Sequence, residues 1–176
     1  MQLKDEFMKE YGKLEIETSQ AAFGDISQRI LNGTIIYDKA NPTGCNRMNI
    51  MPENYTDSES LPIIALVDRG QCSFATKARN SDRSGASLLV IIDDRYENIH
   101  EVTMNDDGVG SSINIPSVLI DRYSGMIIKK YTDQNTTVTM NLEGVSQKTK
   151  IDMELWYSSN SEEALEFISS FSSYAE

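Results

Sequence analysis

Apolar positions fall into two kinds of run along this chain, and the contrast between them predicts the architecture. Ile63–Val67 and Ser87–Ile92 are short, nearly unbroken apolar runs rich in β-branched residues, the pattern of strands covered on both faces. Between them Asp68-Arg69-Gly70-Gln71 forms a polar turn in which Gly70 permits a positive φ. Ser73 then caps a helix reaching to about Ser84, and Gly85 suits the left-handed position after its end. Strand, helix and strand in this order predict a parallel crossover unit. Ser117–Ile120 reads as a further strand. Asp121 caps a second helix to about Tyr131, with Tyr123, Met126, Ile127 and Tyr131 on one face.

Other segments alternate instead. Lys13–Thr18 sets Leu14 and Ile16 on one side and reads as an edge strand; Gly33–Tyr37, Thr136–Leu142 and Ile151–Tyr157 are strands as well. Ser161 heads a last helix with Ala164, Leu165, Ile168 and Phe171 inward. Asp38–Leu61 and Asp93–Ser112 are polar and loop-like, and a loop as long as the second is usually functional or disordered. The expected organisation is a leader or docking segment over 1–12, one α/β domain over 13–145, and a strand and helix over 150–176. That final pair cannot bury its apolar faces alone, so it opens a second domain or forms a C-terminal extension.

Composition narrows the function. At 176 residues and 39% hydrophobic content the chain suits a globular domain, and no apolar run reaches the length of a membrane span, so this segment inserts into no membrane. No basic and apolar leader stands at Met1, which fits a removed leader or a piece of a longer protein. A net charge of −11 opposes nucleic acid and anionic membrane surfaces as partners; it either matches a basic peptide or is a solvated acidic surface that keeps the protein soluble. Catalytic signatures are missing: there is no GxSxG elbow, HExxH or P-loop, and His100 is the only histidine. Asp93-Asp94 and Asp106-Asp107 lack the alternating ligand spacing of a calcium loop and read as solvated turn acids. No metal, cofactor or enzymatic activity is expected. Cys45 and Cys72 form either a disulfide or two buried thiols, with too few neighbouring ligands for zinc. Sequons stand at Asn32, Asn54 and Asn135.

Binding has firmer ground. Ligands of open sheets collect beyond the carboxyl ends of parallel strands, where the turn Asp68–Ser73 and the loop after Asp93 both emerge. Arg69 there either forks two hydrogen bonds onto a ligand carboxylate or carbonyl, or pairs with Asp68 or another local acid.

The spacing DRG-x-C-x-F-x-x-K, here Asp68-Arg69-Gly70, Cys72, Phe74 and Lys77, followed by Gly85-Ala86, resembles the protease-associated domain. INIPSVLIDRYSGMIIKKY is similar to that family's second half. NGTIIYDKANPTGC at Asn32–Cys45 and IDMELWYSSN at Ile151–Asn160 are similar to vacuolar sorting receptors. The resemblance implies a mixed sheet or open β-barrel with flanking helices. It implies a non-catalytic luminal domain that binds peptide segments of soluble cargo proteins. The setting is the lumen of the secretory pathway (Golgi, endosome or vacuole) or the extracellular face. With the sequons it favours an oxidising lumen and a Cys45–Cys72 disulfide pinning the Asp38–Leu61 loop to the Arg69 turn. It implies ligand contacts from Arg69, Gly70 and Gln71, and from Phe23 and Gly24 in the family's NFG loop. Gln71 stands where the receptors carry an acid, Ala22 replaces the asparagine of NFG, and Ser161-Glu162-Glu163 replaces the cysteines after ELW. Lys77 matches the family's lysine and reads as a surface residue whose stem covers apolar area. Alternative settings are an accessory domain of a protease, glycosidase or membrane-bound ubiquitin ligase, or a free-standing secreted binding domain.

Overall fold

The computed structural model describes residues 14–25, 33–51, 61–132, 137–143 and 149–156. In chain order these hold β1 (Leu14–Gln20), β2 (Thr34–Tyr37), β3 (Ile63–Asp68), α1 (Phe74–Arg83), β4 (Leu88–Ile92), β5 (Ser117–Ile120), α2 (Arg122–Thr132), β6 (Thr137–Glu143) and β7 (Thr149–Trp156). The expected segment 1–12, the sequons at Asn32, Asn54 and Asn135, and the last helix with Leu165, Ile168 and Phe171 lie outside the described residues.

One mixed sheet of seven strands runs in the order β2-β3-β4-β5-β1-β7-β6. The ladders β2–β3, β3–β4 and β4–β5 are parallel, while β1 joins β5 and β7, and β7 joins β6, antiparallel. The far strand β6 comes back alongside β2, so the sheet curls into the open-barrel form that the family resemblance implies. The fold is an α/β domain of that type.

The continuous apolar runs have the expected cause. Every residue of Ile63–Val67 and of Leu88–Ile92 is buried, because the sheet is covered on both faces. Ile64, Leu66, Leu88, Val90 and Ile92 face one core with Ile16, Ile120 and Ile128. Ile63, Ala65, Val67, Leu89 and Ile91 face the other, with Ala75 and Ala78 of α1 and with Phe23, Ile99 and Met104 from the loops. Burial of this kind stabilises by about 25 cal/mol per Å² of apolar surface. Ser73 accepts a hydrogen bond from the Thr76 N–H at 3.1 Å and caps α1, and Gly85 follows with φ +91°. Asp121 caps α2 by accepting from the Ser124 N–H at 2.9 Å.

Three expectations change. Lys13–Thr18 is not an edge strand: Leu14–Thr18 pairs with Thr149–Met153, and Thr18–Gln20 pairs with Val118–Ile120. Alternation marks a strand with two unlike faces and does not say how many neighbours it has. The strand expected to open a second unit, β7, is an inner strand between β1 and β6, so a division at residues 145–150 would cut through this ladder. On α2 the inward residues are Gly125 and Ile128, whereas Tyr123 and Met126 of the expected apolar face are about half exposed.

Gly125 permits the close approach of α2 to β4. A Cβ there would lie 2.2 Å from Ile92 Cγ2 and 2.9 Å from Ile92 Cβ. Gly125→Ala is therefore expected to destabilise by about 1–3 kcal/mol through overpacking, read as a lower urea midpoint with an unchanged slope. A midpoint equal to wild type would show that α2 yields without cost.

Candidate ligand site at the exit of the parallel strands

The parallel register places the site. Asp68 is the partner of Ile92, so the next residues, Arg69 and Asp93, leave β3 and β4 side by side. The Arg69 N–H continues the ladder to the Ile92 carbonyl at 2.9 Å. Its guanidinium then turns to the loop after β4. Nη1 donates to Asp93 Oδ1 at 2.8 Å and to Glu97 Oε1 at 2.6 Å, while Nε stands 3.6 Å from Asp94 Oδ1. The guanidinium carbon also lies 5.5 Å from the centre of the Phe74 ring. Burial alone would lower the Arg69 pKa, but the hydrogen bonds it donates to Asp93 and Glu97, with the charges of those acids, outweigh it and hold the group above its ordinary value.

The acids differ in kind. Asp93 is buried, accepts a second bond from the Arg95 N–H at 3.2 Å through the same Oδ1, and has no partner for Oδ2 among the described residues. Asp94 and Glu97 are half-open to solvent at 50% and 37% side-chain exposure, so Glu97 is the partner that an incoming group displaces more cheaply. The expectation of solvated turn acids thus fails at Asp93, which anchors Arg69. At the second acidic pair, Asp106 Oδ1 accepts from the N–H groups of Gly108 and Gly110 at 2.9 and 2.6 Å, and the Asp107 carboxylate accepts from the Ser73 hydroxyl. These acids shape their loop and fasten it to the start of α1. No group of three or more His, Cys, Asp or Glu side chains able to hold a metal occurs among the described residues.

Asp68 is not the partner of Arg69. It accepts from the Tyr37 hydroxyl at 2.7 Å, and Lys129 Nζ stands 3.0 Å from both of its oxygens. His100 Nε2 lies 3.1 Å from Glu17 Oε2, its partner on β1.

The turn after Arg69 is fastened in three ways. Cys45 and Cys72 form a disulfide across 27 positions. Thr43 Oγ1 donates to Gln71 Oε1 at 3.1 Å. Lys77 Nζ donates to the carbonyls of Thr43 and Gly70, each at 2.6 Å. Gly70 at φ +108° and Gln71 at φ +65° both sit in the left-handed half of the map, where a non-glycine residue costs about 1 kcal/mol or more and persists only if its surroundings hold it. Lys77 corrects the expectation of a surface lysine: its side chain has no exposed area. Burial pushes its pKa from the ordinary 10.5 down to about 8, against the pull of Asp68 and Asp94. A lysine three residues beyond a phenylalanine on a capped helix gives no sign that a loop thirty residues upstream will cover it.

Phe23 and Gly24 are held by the surrounding framework. The Phe23 ring is 6% exposed within the core, and a Cβ on Gly24 would meet the Ile115 carbonyl at 2.4 Å. The pair is framework, packed under the loops that carry Met104 and Ile115.

A family model described as the PA domain matches residues 31–128. The chain belongs to the PA-domain family. Among relatives of this PA domain, vacuolar-sorting receptor 1 of Pisum sativum is 32% identical over 74% of this chain and 22% of that one. Vacuolar-sorting receptor 3 of Arabidopsis thaliana is 31% identical with the same coverage. The receptor homology region, transmembrane domain- and RING domain-containing protein 6 of the same plant is 30% identical over 69% of this chain and 36% of that one. The chain thus spans about a fifth of the length of the sorting receptors it matches. A solved aminopeptidase from Aneurinibacillus sp. strain AM-1 aligns over 88% of this chain and 37% of its own, at 16% identity and a TM-score of 0.39.

Two stability measurements follow from the fastenings. Replacing both cysteines by serine removes a cross-link worth about 3–4 kcal/mol on the chain-entropy model, so the urea midpoint should fall accordingly; a midpoint within error of wild type would show that hydrogen bonds alone hold the turn. For Lys77 the sign is set by its lowered pKa. Between about pH 8 and 10.5 the unfolded lysine keeps a proton that the folded one has lost, so stability rises with pH through that window. The gap between wild type and Lys77→Met should therefore widen in favour of wild type from pH 8 to 10.5. A gap that stays constant would contradict a buried ammonium.

Proposed function

We propose that this PA domain is a non-catalytic binding domain of sorting-receptor type, acting in the lumen of the secretory pathway or on the extracellular face. Its ligand would be a peptide segment of a soluble cargo protein, taken by the turn Arg69-Gly70-Gln71. The observation that carries this reading is the division of labour on the Arg69 guanidinium. Nη1 is committed to Asp93 and Glu97, whereas Nη2 makes no hydrogen bond or ion pair among the described residues, on a side chain that retains 18% exposure. One edge is anchored and one edge offers two N–H donors. Support from the relatives is their description as vacuolar-sorting receptors.

Charge refines the ligand class. Arg69 and Arg95 face Asp93, Asp94 and Glu97, and Arg122 donates to the Asp94 carbonyl at 2.8 Å, so the charges of the site are close to balanced before any ligand arrives. A neutral main-chain carbonyl suits Nη2 better than a free carboxylate, and a cationic side chain suits the open faces of Asp94 and Glu97. Because the turn is already held by a disulfide and by Lys77, little ordering opposes binding. Glycosylation of Asn32, Asn54 and Asn135 belongs to the same luminal setting. The relative with a RING domain favours one second reading, in which the same binding domain serves a membrane-bound ubiquitin ligase.

Truncating Arg69 is a poor test, because Arg69→Ala leaves the buried Asp93 carboxylate uncompensated at about 3–5 kcal/mol. Arg69→Lys keeps a cation beside Asp93 and removes the fork. Peptides selected on the wild-type chain from a displayed random library should bind this variant about tenfold or more weakly, as expected for the loss of about 1.5–3 kcal/mol, with only a small change in melting temperature. Unchanged affinity by calorimetry on folded Arg69→Lys would place the ligand elsewhere.

A further inference from the structure

The disulfide beside the binding turn joins two sulfurs in unlike surroundings. Lys77 Nζ stands 3.7 Å from Cys45 Sγ, on a side chain with no exposed surface. Its two short bonds go to the neutral carbonyls of Thr43 and Gly70, and the acids that act on it, Asp68 and Asp94, make no ion pair with it. Among the described residues the buried ammonium therefore has no carboxylate in contact, and the sulfur of Cys45 lies within its reach. Among the described residues no side-chain cation stands in this way beside Cys72, which adjoins the N-cap of α1 and has there the partial positive charge of a helix end. Both cysteines are half-buried, so access alone does not choose between the sulfurs.

We propose that Lys77 makes the Cys45–Cys72 bond a directional thiol-exchange site, at which a small thiol of the glutathione class becomes attached to Cys72 while Cys45 leaves. Thiol–disulfide exchange is faster when the departing sulfur is the better-stabilised thiolate, and a neighbouring lysine ammonium stabilises a thiolate. The incoming thiolate attacks Cys72 Sγ. A new sulfur–sulfur bond forms there as the Cys72–Cys45 bond breaks, and its electron pair departs on Cys45 Sγ as a thiolate paired with the Lys77 ammonium. A second thiol of the same class then attacks the mixed disulfide, leaving Cys72 reduced and the reagent as its own disulfide. The two electrons come from the two reagent thiols. Exchange severs the covalent fastening of the turn Gly70–Cys72 to the loop at Thr43–Cys45. The step is independent of what Arg69 binds.

The test uses the whole chain and glutathione at about neutral pH, with the released thiol trapped by N-ethylmaleimide and the adducts located by peptide mapping. Glutathione should be found on Cys72 with maleimide on Cys45, in about tenfold or greater excess over the reverse pattern. Equal amounts, or glutathione mainly on Cys45, would overturn the proposal. Lys77→Met should slow exchange about tenfold and level the two adducts, while Lys77→Arg, which retains a cation, should keep the bias. A folded Lys77→Met that keeps the wild-type rate and bias would also overturn it. Should Lys77→Met fail to fold, the adduct pattern of the wild-type chain decides alone.

Discussion

Everything at the binding end of this domain depends on the register of β3 against β4. Pairing Asp68 with Ile92 brings Arg69 and Asp93 out of the sheet together, one cation and one anion at adjacent strand ends. A shift by a single residue would turn every side chain of a strand to the opposite face, and here the two faces pack against different neighbours, Ile16, Ile120 and Ile128 on one and α1 with the loops on the other, so a slip would disrupt both cores. The apolar runs that form the core thus determine the position of the charged pair. Asp93 is buried and needs a partner, and Arg69 is the nearest one that the topology can supply. The residue with the best claim to ligand contact is for this reason also a structural one.

The turn itself is held against its own backbone preference. Gln71 occupies a left-handed conformation that an ordinary residue avoids, and the disulfide, the Thr43 hydroxyl and Lys77 converge to hold it. A neutral lysine amine still carries two N–H donors, as many as the carbonyls of Thr43 and Gly70 require. The clamp therefore persists when Lys77 loses its proton, and only its electrostatic action on Cys45 is lost. One side chain in this way serves two ends, as a hydrogen-bonding clamp at any pH and as a source of charge when protonated.

Local chemistry was legible and long-range partnering was not. The apolar runs at Ile63 and Ser87, the serine cap at Ser73 and the glycine at Gly85 mark the crossover unit to within a residue or two, because each is a signal carried by neighbours in the chain. The alternation at Leu14 and at Ile151 marks strands, yet nothing in it says that these two strands pair with each other, which brings the second into the first domain's sheet. Arg69, Gly70 and Gln71 stand together at the expected strand end. Asp93, Glu97 and the burial of Lys77 escape a reading by segments, since each depends on a contact across 24 to 34 positions. An acid immediately after a buried parallel strand is the one local sign that pointed to Asp93. Phe23 is a further case: its burial in the core depends on loops about eighty to ninety positions away, which carry Met104 and Ile115.

The division of the Arg69 guanidinium into an anchored edge and an open edge is measured most directly by nitrogen-15 NMR of its side chain. Held by Asp93 and Glu97, the guanidinium should rotate slowly enough to give separate Nη1 and Nη2 signals in the free protein. A bound library-selected peptide should shift Nη2 while Nη1 keeps its contact to Asp93. A single averaged Nη signal in the free protein, or a ligand-induced shift confined to Nη1, would contradict it.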